Sequence, residues 1–157
     1  MFDLLTLAAA TGSALVAGIL FIFSVCIMRA LGTLPPALGI AAMQSINVII
    51  INPWFLAVFI GTAAACAIVL AWGIAQGGVT SSIGAIAGSV LYLVGVVGIT
   101  RACNIPRNDA LARVAPDSAD AVAVWRDYLR GWTLWNHVRT AAGLVAALLF
   151  MAERWFS

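Results

Sequence analysis

Between Leu4 and Met28 the chain carries no formal charge, and almost every side chain in that stretch is apolar. A helix needs roughly 20 apolar residues to cross about 30 Å of hydrocarbon, so this run by itself points to a bilayer as the solvent. Trp54–Ala75 and Ile83–Thr100 meet the same condition. A fourth span ends at the interface anchor Glu153-Arg154-Trp155, and counting back about 20 residues places its entry near Thr133. The predicted architecture is all-α: a single transmembrane domain over residues 1–157, a four-helix bundle with spans at about 4–28, 54–75, 83–100 and 133–152 and extramembrane extensions on one side. Composition excludes a water-exposed fold. The chain has 157 residues, 64% hydrophobic and 9% charged, against about 45–50% apolar and about 25% charged for ordinary soluble domains. A chain this short has too high a surface-to-volume ratio to hide so much apolar area.

Small residues mark the expected contact faces: Ala10, Ala14 and Gly18 in the first span, and Gly84-x-x-x-Gly88 continuing to Gly95 in the third. Cys26 and Cys66 lie inside apolar runs and read as small buried hydrophobes, not as disulfide partners. The N-terminus, Met1-Phe2-Asp3-Leu4, lacks a basic segment, and its apolar run is too long for a cleaved signal peptide, so a retained helix is expected.

The connections are unequal. Gln76–Ser81 is a tight turn with Ser82 as the expected N-cap of the third span. Within Arg29–Pro53, Leu38–Ile51 reads as an apolar helix interrupted by Gln44, Ser45 and Asn47. Within Arg101–Trp132, Asn108 is placed to cap a short helix over Asp109–Val114, and Asp117-x-x-Asp120 after Pro116 looks like a helix start. No proline follows before Trp155, so the last helix should project well past the membrane. The chain has no Lys. Arg29, Arg101, Arg107, Arg113, Arg126 and Arg130 all belong to the two long connections, which the positive-inside rule places in the cytoplasm, with both termini outside. A net charge of +2 without a basic run gives no reason to expect nucleic acid. The partners expected are the lipid bilayer and a small apolar molecule; a homo-oligomer is left open.

The polar residues gather at one end. On the last helix Trp125, Tyr128, Trp132, Trp135, Asn136, Arg139 and Gly143 follow three- and four-residue spacing and share one stripe. Arg139 lies about 10 Å inside the near interface, where burying it costs roughly 2.5–3.5 kcal/mol. No Asp or Glu lies within a span, so its partner is a loop carboxylate such as Asp109 or Asp127, a set of amides and carbonyls, a ligand with anionic character, or the headgroups reached by snorkelling. Gln44 and Asn47 share a helix face; Asn52 precedes Pro53, and Asn104 and Asn108 flank Pro106. With Asn136 and Arg139 these amides describe a polar pocket roofed by the long connections, suited to a flat, mostly apolar molecule carrying a few oxygens, an aromatic or a quinone. His137 is the only His, rotated about 100° from Asn136. One His cannot supply the paired ligands of a haem bundle or a non-haem iron or copper site, and nucleotide-binding and nucleophile-elbow motifs are absent from the sequence.

Asn104-Ile-Pro106-Arg-Asn108-Asp-Ala-Leu, followed by Trp132-Thr-Leu-Trp135-Asn136-His-Val-Arg139-Thr, resembles the anthrone oxygenase-like family of small membrane proteins; Met43-Gln44-Ser-Ile-Asn47 and Asn52-Pro53 fit the same pattern. The resemblance covers nearly the whole chain. It implies a four-helix membrane fold and, for the fungal polyketide members, oxidation of an anthrone to an anthraquinone by dioxygen; likeness to bacterial members implies the bacterial inner membrane. A deprotonated anthrone can give an electron to dioxygen directly, so no cofactor and no metal are expected. An enzyme would supply an apolar cavity, a base and donors for the enolate oxygen. His137 is the candidate base and Arg139, with Asn136, the enolate clamp; Gln44, Asn47, Asn52, Asn104, Asn108, Trp132 and Trp135 complete the expected substrate site. A non-catalytic membrane subunit or scaffold binding lipid or quinone is the alternative. A proton-coupled exporter needs a membrane-embedded carboxylate, which this sequence lacks.

Overall fold

The computed structural model describes residues 2–75 and 83–156, with side chains from Asp3 to Glu153 within those limits. The predicted turn at 76–81, the Ser82 cap and the anchoring side chains of Arg154 and Trp155 lie outside the described residues.

Four helices are long and apolar enough to cross a membrane: Asp3–Gly32, Pro53–Ala75, Ile83–Ala112 and Ala121–Glu153. The first is composite. α1 (Phe2–Ile22) passes through a π-turn (Phe23–Ile27) into α2 (Met28–Gly32), and the Met28 N–H bonds the Phe23 carbonyl five residues back. The chain breaks at Pro35, and Pro36 opens α3 (Pro36–Ile49) in the first turn, where a missing N–H leaves nothing unpaired. The Asn52 Oδ1 accepts from the N–H groups of Trp54 and Phe55, an N-cap on α4 (Pro53–Ala75).

The third span departs from the sequence reading. α5 (Ile83–Val90) continues through π-segments Leu91–Gly98 and Thr100–Asn104 into α6 (Ile105–Ala112). No separate helix starts at Asp109, and Asn108 lies inside α6 without capping it. Pro106 would normally end a helix at this point, because its ring crowds the preceding turn. Here the π-turn before it, closed by the Ile105 N–H on the Thr100 carbonyl, supplies a widened turn ahead of the ring. α7 (Ala121–Phe156) begins just after Asp117-x-x-Asp120 and is about 54 Å long, well beyond the roughly 30 Å of hydrocarbon.

α1 and α5 each pack against both α4 and α7, which closes the ring of four. Two cores result. The lower one joins Ala9, Ala10, Val16, Ala65, Cys66, Val69, Ala85, Val96 and Ala146 with Tyr92 and Phe150. At Gly88 an added Cβ would lie 3.1 Å from the Ala146 carbonyl, a helix approach that only Gly allows without a shift. The upper core joins Met28, Leu31, Ile40, Met43 and Leu111 to Trp125, Tyr128 and Trp132 of α7. α3 and α6 pack on each other and on α7, so both long connections fold over the projecting half of that helix.

Candidate functional site

Between the two cores lies a buried polar layer built from three spans. Its centre is Asn136, fully buried on α7. The Asn136 Nδ2 donates to the Leu20 carbonyl and to the Ser24 Oγ, both at 2.7 Å. Ser24 and Thr140 hydroxyls meet at 3.2 Å, and Thr140 donates to the Asn136 carbonyl. The Asn136 Oδ1 faces the other way and accepts from an Arg139 terminal nitrogen at 2.7 Å. The second terminal nitrogen donates to Thr100 Oγ1 at 3.1 Å, while the Thr100 proton goes to the Val96 carbonyl. Two π-turns supply these partners: Phe23–Ile27 carries Ser24, and Thr100–Asn104 carries Thr100 and Asn104. A π-turn inserts one residue into the helical register and so re-aims side chains toward a neighbour.

Arg139 is therefore held by neutral groups. It is 5% exposed, and its guanidinium carbon stands 5.3 Å from the centroid of the Trp132 ring. A desolvated cation–π contact contributes about 2 kcal/mol, comparable with the roughly 2.5–3.5 kcal/mol of burying the charge. Neither loop carboxylate reaches it: Asp109 is exposed, and Asp127 is an exposed partner of Arg126. Three buried polar atoms here lack a partner among the described residues: Arg139 Nε, Trp132 Nε1 and Asn104 Oδ1. Their residues are joined through Trp132, whose carbonyl accepts from Asn104 Nδ2 at 3.2 Å. Each unmatched buried group costs about 1–3 kcal/mol. The layer thus leaves two donors and one acceptor unmatched among the described residues.

An aromatic column connects this layer to the roof. Trp125 and Tyr128 stack at 5.7 Å and 12°, Tyr128 and Trp132 at 6.3 Å and 24°, and Phe23 tilts against Trp132 at 5.7 Å. The Tyr128 hydroxyl donates to Asn108 Oδ1 at 2.8 Å, with the Asn47 side chain beside it. Asn47 and Asn108 thus come together at Tyr128, about three turns of α7 before Arg139. Gln44 binds elsewhere: its Nε2 donates to the carbonyls of Leu111 and Val114 and so ties α3 to the end of α6. Asn52 is occupied as the α4 cap, and its Nδ2 donates to the Ile49 carbonyl. Trp135 is half-buried. His137 is exposed and lines a groove of about 640 Å³ with Arg29 and Arg130 on the far side of α7. The structure does not bring it together with Arg139. Among the described residues no three His, Cys, Asp or Glu side chains gather as metal ligands.

Sequence reasoning missed Ser24, Thr100 and Thr140. The last had a visible signal in its four-residue spacing from Asn136; the other two are hydroxyls in apolar helices, aimed by π-turns that no pattern announced.

The family model described as Anthrone oxygenase matches residues 54–149, more than half of the chain. The chain belongs to the anthrone oxygenase family. The matched segment contains Thr100, Asn104, Asn108, Trp132, Asn136 and Arg139, whereas Ser24, Gln44, Asn47 and Asn52 precede it. No curated protein and no solved structure matches the chain.

Proposed function

We propose that the buried layer around Arg139 binds a flat hydroxylated aromatic ketone as its enolate, and that this anthrone oxygenase family member oxidises such a ring at its CH₂ with dioxygen. The observation that carries this reading is a 95%-buried arginine whose partners are all neutral. Negative charge developing on a substrate oxygen meets a cation already oriented by Asn136 and Thr100, so little reorganisation accompanies the reaction. The stoichiometry closes without a further reductant: the CH₂ gives up both hydrogens, one dioxygen atom becomes the new carbonyl, and the other leaves as water.

In this reading Arg139 binds the enolate oxygen through Nε. Trp132 offers its ring face and indole N–H, and Asn104 Oδ1 receives a phenolic hydroxyl. The proton acceptor is water or the substrate's own phenolate, because His137 projects from the opposite side of α7. The experiment is oxygen uptake by purified, metal-free protein presented with a hydroxylated anthrone. Uptake with quinone formation, lost in Arg139→Leu, supports the oxygenase. Tight binding of the quinone without uptake moves the protein to the alternative, a quinone-binding membrane subunit. The same proposal keeps the long connections in the cytoplasm of a bacterial inner membrane, from their arginines; a cysteine at position 112 labelled only from outside would reverse it.

A further inference from the structure

The groove on the other side of α7 has a chemistry of its own. Arg130, Leu134 and His137 fall at four- and three-residue steps along that helix and face Met28 and Arg29 across the seam with α2. By the 100° rotation per residue, this stripe points roughly 150° away from Tyr128, Trp132 and Arg139. The groove wall is apolar through Met28, Leu129 and Leu134, and two arginines stand at its outer end. Neither Arg29 nor Arg130 has a carboxylate partner among the described residues, where Arg126 pairs with Asp127. Depth fits as well. Arg130 lies about 5 Å outward of the expected membrane entry near Thr133, and His137 about 6 Å inward. Val25, Leu134 and Val138 are exposed apolar side chains on the two spans that form the groove. Cations at headgroup depth above an apolar slot between two spans are complementary to a phosphate that carries acyl chains.

We propose that this groove binds one anionic glycerophospholipid, its phosphate between the Arg29 and Arg130 guanidiniums and an acyl chain along Met28, Leu129 and Leu134. His137 lies at the depth of the glycerol esters, where its ring N–H donates to an ester carbonyl. The site is independent of the Arg139 layer and of any oxygenase activity.

The test is native mass spectrometry of the purified full chain with equal amounts of dioleoyl phosphatidylglycerol and dioleoyl phosphatidylcholine. Preferential retention of the phosphatidylglycerol is expected. Arg29→Gln and Arg130→Gln should each reduce that preference about five-fold, and the double variant should bring it close to parity. The charge-matched control Arg101→Gln/Arg113→Gln removes two exposed arginines outside the groove and should leave the preference intact. Equal loss in that control would mean diffuse attraction and overturn the site. So would displacement of the lipid by millimolar inorganic phosphate, which would leave a simple anion site. A dimer that the groove variants split would assign the groove to a second copy and equally overturn the proposal.

Discussion

The lower and upper halves of the molecule pack in opposite ways. The lower half contains Ala, Val, Gly and Ser and brings backbones close, as at Gly88 against the Ala146 carbonyl. Its larger polar side chain, Tyr92, donates its hydroxyl to the Phe59 carbonyl at 3.1 Å. The upper half contains indoles, a phenol, amides and a guanidinium, held apart by the width of their rings. Apolar attraction between helices vanishes in hydrocarbon, so the lower half gains stability from contact area at short range. The upper half gains it from hydrogen bonds whose alternative is an unpaired group in a dry interior. The lower half is thus a volume-limited frame and the upper half a polarity-limited chamber.

That distinction is sharpest at Arg139. Arg139→Leu should reduce oxygen uptake by at least roughly 10²-fold, the usual effect of removing one oxyanion donor. Thermal stability should move little, since the lost charge offsets the two acceptors left unpaired on Asn136 and Thr100. Arg139→Lys should also be poor, because an ammonium cannot reproduce the planar fork that reaches both partners. A large fall in melting temperature with activity retained per folded molecule would make Arg139 a structural residue and erase the contrast.

Gly88→Leu probes the frame. The added side chain meets backbone at 3.1 Å and the Phe150 ring at 3.2 Å, neither of which can swing aside, and should destabilise by about 1–3 kcal/mol. In the chamber, Gly131→Ala meets the Arg107 Nε at 2.8 Å, on a long side chain that can shift more readily than backbone, and should cost well under half as much. Comparable losses of melting temperature for the two variants would dissolve the distinction.

Tyr128→Phe removes one hydroxyl and keeps the stacked column. It should destabilise by about 1 kcal/mol, read as a melting shift, while a loss much larger than this would mean that Asn47 and Asn108 close the roof only through that hydroxyl. The smallest effect is expected at His137. His137→Ala should leave turnover and its pH profile unchanged, because the imidazole stands on the outer face. A displaced pH profile would restore His137 to the reaction and require a different bound geometry of α7.

Some of this was decided by the chain alone. Four spans follow from hydropathy, because a bilayer sets the length of an apolar helix regardless of what it packs against. The long last helix follows from the absence of proline after Pro116, and the lack of an intramembrane carboxylate for Arg139 from a list of charges; that Arg139 is buried rather than extended to the headgroups is visible only in the structure. What completes the guanidinium's surroundings was decided only in three dimensions. Ser24 and Thr100 enter the layer through π-turns, and a π-turn is a register choice imposed by neighbouring helices, without a residue pattern of its own. The same holds for α6, where the sequence reading ends the third span at Thr100 and begins a separate helix at Asp109, whereas the π-turn before Pro106 accommodates the ring and the helix runs through. The amides show the limit most plainly. Composition gathers Gln44, Asn47, Asn52, Asn104, Asn108 and Asn136 at one end, yet an amide binds any free carbonyl or N–H within 3 Å or so. Packing assigned Gln44 to the end of α6, Asn52 to the start of α4, and Asn136 to Arg139.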